Sequence, residues 1–183
     1  EQKQIVSILD KAFTAIDKAK ANTEKNLQNA KELFESYLQN VFANPGEDWE
    51  EKSLVNLVDD NCTLSYGIVQ PGEEYTNGLP VIRPTDLTSR FVSINGLKRI
   101  DPKLAEGYKR TKLCGNELLL CVRGSTGVVS IALKELEGSN VTRGIVPIRF
   151  NSKIIHQEFG YYLLISNFIQ KQIRAKTYGA ALM

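Results

Sequence analysis

The chain has 183 residues, 42% hydrophobic and 24% charged, which suits one cored domain plus an appendage and is ordinary for a globular protein. No apolar run approaches the roughly 20 residues of a membrane helix, and Glu1-Gln2-Lys3-Gln4 lacks the basic-then-apolar pattern of a signal peptide. The net charge of +2 hides an asymmetry: residues 1–42 are balanced, residues 43–74 carry −7, and residues 75–183 carry +9 with every arginine of the chain.

Residues 1 to about 42 contain neither Pro nor Gly. Leu9, Phe13, Ile16, Lys20, Thr23, Leu27, Ala30, Phe34, Tyr37 and Val41 recur in steps of four and three, an apolar stripe interrupted at Lys20 and Thr23. Beside it run Ile5, Ala12, Ala19, Asn26 and Leu33. At about 1.5 Å per residue the helix is roughly 60 Å long, more than a domain of this size covers. The excess stripe therefore predicts a partner helix, with Ile5, Leu9, Ile16, Leu27, Phe34 and Val41 as pairing residues and the alanines allowing close approach. Asn26 either sets the register of that pairing or faces water.

Asn44-Pro45-Gly46 stops the helix and divides an arm, 1–43, from a body, 44–183. In the body, short β-branched segments are predicted as strands: Leu54–Val58, Gly67–Val69, Pro80–Ile82, Phe91–Ile94, Glu117–Val122, Val128–Leu133 and Gly144–Phe150. Turns fall at Gln70-Pro71-Gly72, Asn77-Gly78, Asn95-Gly96, Arg123-Gly124 and Glu137-Gly138. Two short closing helices follow, one from about His156 to Ile165 and one capped by Ser166 and ending near Lys176. The class is α+β: a long N-terminal coiled-coil-type helix, then a mostly β, barrel-like body with short closing helices.

Several stretches resemble one family in the expected order. Glu1 to Asp10 with Ala12-Phe13 and Ile16-Asp17 is similar to the conserved-region helix of type I restriction-modification specificity subunits, and Leu33 to Leu38 to the far end of such a helix. Trp49-Glu50, Tyr66 to Gly72, Pro80 to Leu87, Gly115 to Gly127, Asn140 to Phe150 and Tyr161 to Gly179 resemble successive blocks of a target recognition domain. Asn116-Glu117 departs from the family's more usual Gly-Asp. The family carries two such helices and two such domains, whereas this chain has one of each. It begins mid-motif without Met, so it is expected to be about half of a longer subunit.

The resemblance implies sequence-specific recognition of double-stranded DNA, each recognition domain reading one half of a split site. It implies modification (methyltransferase) and restriction subunits as partners, which methylate adenine and cleave, with S-adenosylmethionine, ATP and Mg2+ confined to those partners. The helix serves as spacer and dock, and an isolated chain is expected to form a homodimer through it. Two alternatives stand beside this reading: a coiled-coil scaffold whose β domain binds protein, and the recognition part of a fused restriction-modification enzyme.

No catalytic constellation is present, so the chain by itself is not expected to be an enzyme. His156 is the single histidine and reads as a helix start, leaving serines without an imidazole base. Gly124-Ser125-Thr126-Gly127 lacks the lysine of a phosphate-binding loop. Cys62, Cys114 and Cys121 form no C-x-x-C pair and are expected to be buried, reduced thiols of a cytoplasmic protein, with no metal site.

DNA recognition needs cations or turn N–H groups for phosphates, and forked or amide donors for base edges. Arg123, Ser125 and Thr126 offer a small-residue turn with hydroxyls and a guanidinium, or else a plain hairpin. Arg83 and Thr85 follow a strand directly, Arg83 alternatively pairing with Asp86. Arg110 and Lys112 belong to a basic cluster before the central strand, and Arg143 sits in a loop where Asn140 and Thr142 are expected to add polar reach. Arg174 and Lys176, with Lys171, run along the last helix toward Tyr178, as a backbone-following face or a solvated one. Tyr66 contacts a base or sugar, or ends a strand in the core.

Overall fold

The computed structural model of the chain describes residues 1–177. It divides into two units, Glu1–Asn44 and the residues from Pro45 onward.

The first unit is a single helix, α1 (Gln2–Ala43), 42 residues long. Thr14 and Thr23 do not break it, because each hydroxyl donates back to the carbonyl four residues earlier, at 2.8 and 2.9 Å. Pro45 disfavours helical geometry at Asn44, whose φ of −122° and ψ of 67° end the helix. The Asn44 backbone N–H and side-chain amide both donate to the Asn40 carbonyl. Ile5, Leu9, Ile16, Leu27, Phe34 and Val41 are all exposed, at 39 to 59%.

Among the described residues the second unit contains six strands and two α-helices: β1 (Leu79–Ile82), β2 (Lys98–Ile100), β3 (Leu118–Cys121), β4 (Val129–Ile131), β5 (Asn140–Val141), β6 (Ile145–Ile148), α2 (Gln157–Ile165) and α3 (Asn167–Thr177). They form two three-stranded sheets, β2-β1-β5 and β4-β3-β6. β1 is antiparallel to β2 and parallel to β5, with Ile82 opposite Val141. β3 is antiparallel to both neighbours, Leu118 opposing Ile131 and Ile148. Closure of the two sheets into a barrel is not among these pairings.

The apolar run of β3 explains its central place. Leu119 and Cys121 point into one core cluster with Ile82, Val141 and Ile145 from both sheets. Leu118 and Leu120 point into a second, with Phe150 and with Tyr161 and Leu164 of α2. A strand buried on both faces needs a continuous rather than an alternating apolar sequence.

Three expected strands are corrected. Leu54–Asn56 is a 3-10 turn, and Val58 makes only a lone bridge to Phe150. Gly67–Val69 and Phe91–Ile94 shrink to single bridges, Ile68 with Thr142 and Phe91 with Ile131. β2, β5 and the 3-10 segment Pro102–Thr111 were not foreseen from the sequence.

The closing helices lie where periodicity puts them. α2 begins after His156, and the Ser166 carbonyl accepts the Gln170 N–H of α3 at 2.9 Å. Arg90 fastens α2 to the sheets. Its guanidinium lies 5.0 to 5.4 Å from the Phe91, Tyr161 and Tyr162 rings and donates to Tyr162 Oη and Glu158. Among the described residues no helix is long and apolar enough to cross a membrane.

Candidate nucleic-acid interface

Strand direction gathers the candidate residues. Because β1 and β5 are parallel, both chains leave at the same edge, β1 into Arg83-Pro84-Thr85 and β5 into Thr142-Arg143-Gly144. Because β3 and β6 are antiparallel, the exit of β3 lies beside the entry of β6: Val122 N–H donates to the Gly144 carbonyl at 2.8 Å. Gly144 is the meeting point. A Cβ there would overlap the Pro84 ring and lie 3.5 Å from the Arg123 Cβ.

A fourth segment joins through Ile68, whose N–H donates to Val141 O and whose carbonyl accepts Arg143 N–H, both at 2.8 Å. The approach requires Gly67, since a Cβ would fall on the Val141 carbonyl. Tyr66, two residues before Ile68, is exposed, and the parallel register of Ile68 with Thr142 places it toward the entry of β5 rather than at the Arg143 end. Arg83, Thr85, Arg123, Ser125, Thr126 and Arg143 come from three segments that meet.

The Arg123–Gly127 turn joins β3 to β4. Gly124 and Gly127 adopt φ of 77° and 95°, a region that glycine enters without strain. Arg123 and Ser125 are exposed and Thr126 half-buried. α3 is tied to this turn: the Gln170 amide donates to Gly127 O and to Leu164 O, both at 2.8 Å. Lys171, Arg174 and Lys176 are exposed on α3. Tyr178 lies outside the described residues.

Arg110 and Lys112 are exposed on either side of buried Thr111. The Thr111 hydroxyl donates to Asn140 Oδ1 at 2.7 Å, and Asn140 Nδ2 donates to Tyr108 O at 3.0 Å. Asn140 Oδ1 also accepts Val141 N–H. The expected polar reach of Asn140 and Thr142 is therefore corrected. Both are buried, and the Thr142 hydroxyl donates to Ile82 O. A buried amide must spend its hydrogen bonds inside.

Arg83 pairs with Asp86. Asp86 Oδ2 accepts from Arg83 N at 2.7 Å and Nε at 3.1 Å, and Oδ1 accepts from Nη2 at 2.8 Å. The hydrogen bond and charge of Asp86 raise the guanidinium's already high pKa, against the opposing pull of burial. Arg110, Lys112, Arg123, Arg143, Arg174 and Lys176 take part in no ion pair among the described residues.

At the opposite end of β3, Glu117 is fully buried and accepts from Arg149 at 2.9 Å and from Cys114 N–H at 2.6 Å. The preceding Asn116 has a φ of 71°, a left-handed turn that Asn tolerates, so the Asn-Glu departure from the family pattern is locally consistent. Of the three thiols only Cys121 is buried, Cys62 being half-buried and Cys114 exposed, which corrects the sequence expectation. Burial raises the Cys62 thiol pKa despite Arg149 nearby. No group of three candidate metal ligands occurs among the described residues.

No family model matches the chain. The specificity subunit of the type I restriction enzyme EcoBI of Escherichia coli is 28% identical over 192 aligned positions, covering 93% of this chain and 40% of that protein. The chain thus spans well under half the length of this curated relative. In fold it is similar to the HsdS subunit of Thermoanaerobacter tengcongensis, with a TM-score of 0.58 and 16% identity, over 94% of this chain and 41% of that one. A second solved structure, from work on complex assembly and conformational transition of the type I restriction-modification system, gives a TM-score of 0.56 at 14% identity, over 90% and 40%. Sequence likeness along nearly the whole chain and likeness of fold support one relationship: the chain is similar to a fragment of a type I restriction-modification specificity subunit.

Proposed function

We propose that this chain reads double-stranded DNA by sequence, as part of the specificity component of a type I restriction-modification system. The observation that carries the reading is the meeting of the strand-end segments, which presents Arg123 and Arg143 without carboxylate partners beside Arg83, Thr85 and Ser125. The +9 charge of residues 75–183 and the likeness to the EcoBI subunit support it. Phosphate contacts from Arg110, Lys112, Arg174 and Lys176 set position, and base contacts from the strand-end turns set preference.

Partner subunits do the chemistry in this reading. Modification subunits bind S-adenosylmethionine and methylate adenine, and a restriction subunit uses ATP and Mg2+ to translocate and cleave. The chain contributes recognition in the cytoplasm, and α1 pairs with a second helix, in isolation that of another copy.

A duplex titration at two salt concentrations tests the reading. Four phosphate contacts give an affinity that falls about 10²-fold between 50 and 200 mM salt. Binding absent at both concentrations, or unchanged between them, sinks it and favours a protein-binding scaffold.

A further inference from the structure

The sequence leaves two readings of Arg83 open, base reader or partner of Asp86, and the structure shows the pair with Asp86. Asp86 engages the guanidinium side-on, through Nε and Nη2. A side-on pair leaves the end-on edge, Nη1 and the outer hydrogen of Nη2, with no protein partner among the described residues. The Arg83 side chain is 41% exposed and that of Asp86 only 13%, so the guanidinium is the solvent-accessible member of the pair. Three further features make the presentation rigid. The same carboxylate accepts the Arg83 backbone N–H. The turn is closed by Asp86 N–H to Arg83 O at 2.9 Å. The Arg83 backbone continues β1, whose last residue, Ile82, is fully buried.

We propose, on the basis of the DNA-reading role above, that Asp86 is a positioning residue. It holds the Arg83 end-on fork toward a pair of acceptors on duplex DNA, either guanine O6 and N7 or two oxygens of a phosphate. An arginine pinned on one edge loses little freedom when its other edge binds a planar acceptor pair. An unpinned arginine such as Arg123 must give up that freedom on binding.

The test selects bound duplexes from a random-sequence pool with the unsubstituted chain, with Asp86→Asn and with Arg83→Lys. Asp86→Asn keeps size and one acceptor oxygen, and the backbone bond of the turn survives, so the fold is retained; the thermal midpoint of each variant verifies this. If the fork reads guanine, both variants lose preference at one shared G·C pair by about 5- to 150-fold. Replacing that guanine by 7-deazaguanine then weakens the unsubstituted chain and leaves Arg83→Lys unchanged.

If the fork grips phosphate, both variants bind every duplex more weakly by a similar factor, with preferences intact. A purely structural pair predicts something else: Asp86→Asn lowers the thermal midpoint while preferences stay and affinity is equal or higher, one repelling carboxylate having gone. That result overturns the proposal and leaves the DNA-reading role standing. A pool from which the unsubstituted chain selects nothing overturns both.

Discussion

Glu117 shows how one residue can be indispensable without touching any ligand. It lies just before β3, fully buried, and answers the Arg149 guanidinium and the Cys114 N–H. Its second oxygen and Arg149 Nε are buried without hydrogen-bond partners, so the pair is held by position rather than by full satisfaction. Glu117→Ala strands a half-buried, charged donor, the Arg149 side chain being 28% exposed. The expected loss is about 3 kcal/mol, or roughly 6 to 12 °C in the thermal midpoint. Glu117→Gln keeps an acceptor for one donor and is expected to lose about half as much. A midpoint for Glu117→Gln equal to that of the unsubstituted chain, measured by thermal unfolding, would mean that the charge of Glu117 contributes nothing. No sequence signal foretold the pair, because Glu117 and Arg149 are distant along the chain and meet only through the register of Leu118 with Ile148.

At the level of elements, legibility followed the strength of local periodicity. α1 was readable because 42 residues repeat the same 3.6-residue pattern, and α3 because Ser166 offers a cap whose hydroxyl accepts the Ile169 N–H. β1, β3, β4 and β6 were readable as apolar runs bounded by glycine turns. β2 was not, since Lys98-Arg99-Ile100 forms an edge with little to bury. β5 is two residues long, one of them the buried Asn140, and owes its existence to tertiary partners. The same limit governed the site: arginines at turns could be named from sequence, but not the parallel β1–β5 pairing that brings Arg83 and Arg143 to one edge. Asn140 carries a prediction at this level. Asn140→Ala removes the acceptor of the Thr111 hydroxyl and the donor to Tyr108 O, at a cost of about 2 kcal/mol. Segment 102–112, which bears Arg110 and Lys112, is then expected to exchange its amide hydrogens faster than in the unsubstituted chain. Hydrogen exchange unchanged over 102–112 would show that other contacts fix the basic segment.

For the whole molecule, the question is why a β-rich body is joined to a helix that buries so little of its own apolar stripe. Ile5, Ile16 and Leu27 are each more than half exposed, and burying them against a like helix stabilises by about 25 cal/mol for each square ångström removed from water. Charge does not oppose a second copy, because residues 1–42 are neutral overall. A paired arm converts a second recognition event into an intramolecular one, worth about 10²- to 10⁴-fold in affinity where the spacing of two sites fits. The chain carrying both Ile16→Glu and Leu27→Glu is therefore expected to sediment as a monomer, because two carboxylates then face the seam. On a duplex with two copies of the selected site at the best spacing, its affinity is expected to fall by at least about 10²-fold, while affinity for a single copy stays the same. The single-copy arm guards against a damaged body, which α1 substitutions should leave intact. A monomer with undiminished two-copy affinity would leave α1 as a spacer that plays no part in joining recognition bodies.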